Sequence, residues 1–223
     1  MPTLDRDGEV FVLNLGDTEN RFHPDWLAEA QEHLNTVESA DGPRALVTTA
    51  SGKFFSNGLD LEWLGQNTGD FLSYVVSVHE LFARTLALPV PTVAAIQGHA
   101  FAGGGMLSLS HDFRVMRADR GYFCLPEVDI NIPFSRGMSA LIQGRLSKKT
   151  AHEAMTTGRR YGGEDALAAG IVDAIAHEDD VLSSALEIAR PLVAKAGPTL
   201  GTIKARMYAD ALSALRDKDT PLD

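Results

Sequence analysis

The apolar positions of this chain follow two periods. Glu9 to Leu15, Arg44 to Thr49 and Thr92 to Ile96 are short runs rich in Val, Leu, Ile, Phe and Thr, and are predicted as strands. Phe113 to Met116 and Tyr122 to Leu125 read as a fourth and a short fifth strand, and Ile171 to Ile175 as a last one. Between them the spacing becomes helical. His23-Pro24-Asp25 opens a helix with proline in its first turn, and Leu27, Ala30, Leu34 and Val37 form its apolar stripe. Asn57 to Leu64 is predicted as a short helix. A longer one is marked by Phe71, Val75, Val78, Phe82 and Leu86; it stops at Pro89-Val90-Pro91. Further helices are expected from Met106 to about Asp112, near Met138 to Arg145, and from about Lys149 to Thr157. Beyond Val181 two more follow, separated by Gly197-Pro198.

The repeated order of strand, turn and helix predicts an α/β fold with helices packed outside sheets. The pattern changes near Tyr161-Gly162-Gly163. We therefore expect a core over 1–162 and a mainly helical region over 163–223 that packs on the core or serves assembly.

Bulk properties narrow the function classes. The chain has 223 residues, 44% hydrophobic, and a formal net charge of −10, enough for one substantial core. No stripe of Lys and Arg interrupts the acidic balance, which argues against nucleic acid as a partner. The single cysteine, Cys124, permits neither a disulfide framework nor a cysteine metal site; among Gly121, Tyr122, Phe123 and Leu125 it reads as a small buried side chain. No run approaches membrane-spanning length. No signal peptide pattern opens the chain, and Thr220-Pro221-Leu222-Asp223 is not a peroxisomal tripeptide, so the cytoplasm is the expected location.

Two turns carry candidate chemistry. Gly98-His99-Ala100-Phe101-Ala102-Gly103-Gly104-Gly105 links a strand to a buried helix. A backbone without side chains there brings N–H groups close to a ligand at the positive end of a helix dipole. Phe54-Phe55-Ser56-Asn57-Gly58-Leu59-Asp60 is a second turn of the same kind. Two such donors converging on one oxygen make an oxyanion hole. The third feature is Glu127, in Leu125-Pro126-Glu127-Val128-Asp129-Ile130. Its apolar neighbours raise its pKa above the solution value of about 4.3, the range in which a carboxylate takes and returns a proton near neutral pH. Its competing reading is a surface residue or an arginine partner. Asp129 is a second carboxylate whose direction depends on the local backbone.

His177-Glu178-Asp179-Asp180 reads as a solvated loop and not a metal cluster, and His99 as structural. Asp60 and Asp112 read as helix-end or ion-pair residues. Lys204 and Arg206 face either solvent or the phosphates of a bound ligand.

Taken together, Ser56-Asn57-Gly58-Leu59-Asp60, the Gly98–Gly105 turn and Pro126-Glu127, in that order and spacing, resemble the enoyl-CoA hydratase/isomerase (crotonase) superfamily. His111-Asp112-Phe113-Arg114-Val115, Tyr161-Gly162-Gly163-Glu164-Asp165-Ala166 and Ala169-Gly170-Ile171-Val172-Asp173 fit as well, so the resemblance spans nearly the whole chain. It implies a crotonase-like spiral of ββα units with a helical C-terminal region, assembled as trimers or pairs of trimers. It implies an acyl-CoA substrate, with CoA as part of the thioester and no metal or redox cofactor. By position, the N–H groups of Ser56 and Gly104 form the oxyanion hole, and Ser56, Gly58, Leu59, Gly104 and Lys204 meet the CoA thioester.

Hydratases of the family typically carry a glutamate where this chain has Leu107, and leucine moves no proton. The retained Glu127 points instead to an isomerase of the Δ3,Δ2-enoyl-CoA type with one carboxylate as proton shuttle. Gly52-Lys53-Phe54-Phe55-Ser56 resembles the plant-type members of that group. In this reading Met106 and Leu107 keep water from the intermediate. Hydration, thioester hydrolysis and decarboxylation are the alternatives within the family, and a non-catalytic acyl-CoA binder is the alternative outside enzymes. Asn131, where glycine is common, and Phe134-Ser135-Arg136-Gly137, in place of a glycine-rich turn, depart from the family pattern beside the acyl pocket.

Overall fold

The computed structural model describes residues 1–218. The C-terminal tetrapeptide that bears on location, and the end of the helical region, lie outside the described residues. The chain runs β1 (Thr3–Asp7), β2 (Val10–Asn14), α1 (Pro24–Ser39), β3 (Ala45–Thr49), β4 (Phe54–Ser56), α2 (Leu61–Gln66), α3 (Phe71–Ala87), β5 (Thr92–Ile96), β6 (His99–Phe101), α4 (Gly103–Leu109), β7 (Phe113–Arg117) and β8 (Phe123–Cys124). It continues α5 (Arg136–Arg145), α6 (Lys148–Thr157), α7 (Gly163–Ala168), β9 (Ala174–Ala176), α8 (Val181–Ala189), α9 (Pro198–Met207) and α10 (Ala209–Leu215).

Two sheets share the strands. The larger has the order β1-β2-β3-β5-β7-β9 and is parallel except for the β1–β2 hairpin; the smaller, β4-β6-β8, is all parallel. Successive pairs β3–β4, β5–β6 and β7–β8 each give one strand to each sheet and then enter a helix. This is a spiral of ββα units, as the resemblance implied.

The central strands are buried on both faces, which is why Ala45–Thr49 and Thr92–Ile96 are continuous apolar runs without strict alternation. Successive side chains still point to opposite sides. Leu46, Ala94, Ile96 and Met116 join the main core with α1 and α3. Ala45, Val47, Val93, Ala95 and Val115 meet Val181, Ala185, Leu186 and Ala189 of α8 on the other side. The helical region therefore packs on the core; α10 lies along α5 and α3.

Several boundaries differ from the sequence expectation. β1 carries no apolar period because its side chains are mostly exposed and polar. β4 and β6 are three residues each, too short to show a period. The last strand is Ala174–Ala176 and not Ile171–Ile175, because Ile171 and Val172 turn into the core instead of pairing. The region after Val181 forms α8, α9 and α10, not two helices.

Candidate active site

α4 is seven residues long and wholly buried, so its position is set from both ends. The Arg145 side chain donates to the carbonyls of Leu109 (2.8 Å), His111 (2.7 Å) and Asp112 (3.1 Å). His111 bridges the Leu107 carbonyl to Thr48 Oγ1 of β3, at 2.9 and 2.8 Å. At the other end the three glycines are the first turn of the helix itself, not a turn before it. The first intrahelical bond is Met106 N–H to Ala102 O, so the N–H groups of Gly103, Gly104 and Gly105 have no partner within the helix.

The two glycine turns interlock. A Cβ on Gly104 would lie 2.1 Å from the Ser56 carbonyl oxygen, and one on Gly58 would lie 2.5 Å from Gly103 N and 3.2 Å from Gly104 N. Gly58 also has φ +78°, a conformation that favours glycine. Bare backbone on both sides is what lets the turns meet.

The expected N–H donor in the first turn needs correction. Ser56 is sealed in β4 at 0% exposure; its hydroxyl donates to the Asn20 carbonyl (2.8 Å) and accepts from Gly58 N–H (3.1 Å). Neither Ser56 nor Gly104 is among the residues lining the cavity. Asn57 N–H goes to Glu19 O, Asp60 N–H to the Tyr74 hydroxyl and Leu61 N–H to Leu59 O. Among the described residues the Leu59 N–H meets no acceptor, and Leu59 lines the cavity. The sequence signal was present, since Leu59 belongs to the same motif, but spacing does not reveal which amide a turn leaves free.

That cavity measures about 480 Å³ and lies between α2, α3, Phe101-Ala102 just before α4 and the 126–138 segment. Leu61, Leu64, Phe71, Val75, Phe101, Ile130, Ile132 and Met138 make it mostly apolar, and its polar wall consists of Arg21, Asn57, Glu127, Asn131 and Ser135. Its lips are apolar and exposed: Leu61 46%, Phe71 37%, Ile130 46% and Ile132 39%. A cleft of about 560 Å³ between α1 and α3 is more open and touches none of these groups.

Among the described residues Glu127 is the one carboxylate in the cavity wall. It is 6% exposed, and its Oε2 is buried with no hydrogen-bond partner. Burial pushes its pKa from 4.5 up to about 7, against the opposing pull of its own backbone N–H. The turn that holds it is closed by Asp129 N–H and Ile130 N–H to Pro126 O, and by Ile132 N–H to Glu127 O. This coiled backbone sends Asp129 away: its carboxylate lies exposed against Gly158, outside the cavity wall. Asn131 has φ +56°, a value asparagine tolerates and glycine adopts freely, which explains its place in that turn.

Lys204 also departs from expectation. It is 3% exposed, and its ammonium donates to Asp112 Oδ2 (2.6 Å) and to the Val90 carbonyl (2.7 Å). It therefore neither meets phosphates nor faces solvent; it ties α9 to the β5 and β7 ends. Asp60 caps α2 through Trp63 N–H, as a helix-end residue should. Leu107 and Met106 are packed in the main core, on the short helix whose first turn carries the Gly104 amide. Cys124 is buried and its thiol pushed up to about 11. His99 stacks among Phe54, Phe101 and Tyr122 on the small sheet.

The site is thus a spiral of ββα units carrying two closely packed turns with free amides and one buried carboxylate beside an apolar cavity. The chain matches the enoyl-CoA hydratase/isomerase family over residues 6–220 and belongs to it. Within that family it is isomerase-like. It is 39% identical to enoyl-CoA delta isomerase 3 of Arabidopsis thaliana over 94% of this chain and 93% of that one. It is also 38% identical to the peroxisomal enoyl-CoA delta isomerase 2 of that plant, over 96% and 95%. Among solved structures, human mitochondrial delta3-delta2-enoyl-CoA isomerase superposes with a TM-score of 0.86 at 26% identity, over 96% of this chain and 85% of that one.

Proposed function

We propose that this enzyme moves the double bond of a 3-enoyl-CoA to the 2-trans position. The thioester oxygen sits between the N–H groups of Leu59 and Gly104. Glu127, as carboxylate, removes a C2 proton; the negative charge spreads over the dienolate and is held by the two amides. Protonated Glu127 then delivers the proton to C4. No bond to water forms, so the product has the mass of the substrate. CoA is part of the substrate, and the step as written uses no metal or redox cofactor.

The observation that carries this reading is the solitary state of Glu127. One carboxyl with a pKa of about 7 can act as base and then as acid in one turnover. Hydration by the usual family route takes two carboxylates, and the second position here is a core leucine. Trimers or pairs of trimers, with the region after 163 serving assembly, and a cytoplasmic location complete the proposal. Light scattering and fractionation test those points.

The activity is tested by incubating the protein with trans-3-hexenoyl-CoA and, separately, with crotonyl-CoA. Isomerisation raises enoyl absorbance at constant mass in the first and leaves the second unchanged. Water addition to crotonyl-CoA at a comparable rate, or full activity in Glu127→Gln, overturns the mechanism.

A further inference from the structure

Ser135 and His79 form a buried pair that the proton shuttle does not use. Ser135 is 4% exposed and His79 0%. His79 Nε2 lies 2.8 Å from Ser135 Oγ, and Met138 N–H donates to the same oxygen at 3.2 Å, because Ser135 caps α5. A hydroxyl has one hydrogen to give and two lone pairs to receive. Met138 takes one lone pair. His79 takes either the hydrogen or the other lone pair, according to its tautomer. In both cases one capacity remains.

Ser135 lines the cavity, and none of the other polar residues of that wall, Arg21, Asn57, Glu127 and Asn131, hydrogen-bonds to its Oγ, whose bonds are to His79 and Met138. Helix capping alone asks for an acceptor and no imidazole behind it. Burial drives His79 down to about 4, so it stands neutral at working pH and acts on Ser135 as a hydrogen-bond partner, not as a charge. A hydrocarbon tail beside this wall leaves the third capacity of Ser135 unmet. A tail with its own hydroxyl satisfies it, whichever tautomer His79 holds.

We infer that Ser135, oriented by His79, is a specificity-determining residue, and that the preferred substrate is a 3-enoyl-CoA with a hydroxyl on its acyl tail. This rests on the acyl-CoA isomerase reading above. Ser135 touches the substrate; His79 is a positioning residue.

The test uses unreactive ligands, so it reads out whether or not turnover occurs. Calorimetry compares decanoyl-CoA with hydroxydecanoyl-CoA esters in which the hydroxyl is moved along the tail. One hydroxyl position is expected to tighten binding by roughly fivefold, the value of one neutral hydrogen bond. Ser135→Ala and Ser135→Gly remove that preference; the glycine variant guards the fold, because glycine is itself tolerated as an N-cap. His79→Leu weakens the preference without touching ligand, and His79→Gln, which restores a partner for Oγ, recovers it. Equal binding at every hydroxyl position, as when a bound water fills the site, or an intact preference in Ser135→Gly, overturns the inference. Turnover of plain trans-3-decenoyl-CoA is read separately. Its absence counts against the isomerase reading and leaves the tail preference to the binding data.

Discussion

Gly104 and Ser56 are in backbone-to-backbone contact: a single methyl on Gly104 would stand 2.1 Å from the Ser56 carbonyl oxygen. The two turns of the site are held in register by that approach. Gly104→Ala must push α4 away from β4 and carry the Gly104 N–H with it. Losing one such donor costs about a hundredfold or more in kcat. Steady-state kinetics with a 3-enoyl-CoA should show that loss, and a kcat within threefold of wild type would mean that the amide is not used.

In the proposed mechanism Glu127 must be ionised to begin the reaction. With a pKa near 7, kcat/KM should rise with pH up to about 7 and then level off. A profile flat from pH 5 to 8 would remove Glu127 from the proton-transfer step.

The raised pKa also bears on stability, with a definite sign. The folded pKa of Glu127 lies above the unfolded one, so the native state binds more protons between about 4.5 and 7. Stability attributable to this group is therefore highest below that window and falls as pH rises through it. The size is on the order of 3 kcal/mol, since each tenfold change in proton affinity is worth about 1.4 kcal/mol. Glu127→Gln should raise Tm at pH 8 and leave it nearly unchanged at pH 4, by differential scanning calorimetry.

The site was legible in the sequence where it depends on motif and illegible where it depends on direction. Glycine spacing and the apolar setting of Glu127 located both turns and the buried carboxylate. The free amide at Leu59 was hidden because it emerges only after its neighbours find acceptors in Glu19, Ser56 and Tyr74. His79 was hidden in another way: it sits on the apolar stripe of α3, and its partner is 56 residues away. Parallel core strands announced themselves as apolar runs, whereas β1 is polar and β4 and β6 are too brief to carry a period.

Lys204 shows how a surface expectation fails. A cation on an amphipathic helix usually faces water, but here it is committed to Asp112 and the Val90 carbonyl. Lys204→Met should leave KM for the acyl-CoA unchanged while costing about 3 kcal/mol, because Asp112 loses its cation in a mostly buried place and keeps only the Thr92 N–H. Urea unfolding and steady-state kinetics on the same variant check both halves.

Leu107→Glu tests why one carboxylate suffices. The side chain belongs to the core at 3% exposure, so an ionised group there lowers stability. Where the variant folds, crotonyl-CoA should gain the mass of water faster than with the parent. No hydration in a folded variant would show that position 107 does not decide between the two reactions.

The meeting of Gly58 with Gly103 and of Gly104 with Ser56 leaves the charge-holding part of the site without a single side chain. Such a frame is indifferent to most of what mutation changes. Selection can replace the residue at 107, lengthen or shorten the cavity lips, or alter the wall at 135, and the backbone contact between the two turns still stands. A lineage built on this frame can change its reaction by small steps through folded, substrate-binding ancestors, and never needs to rebuild the hardest part.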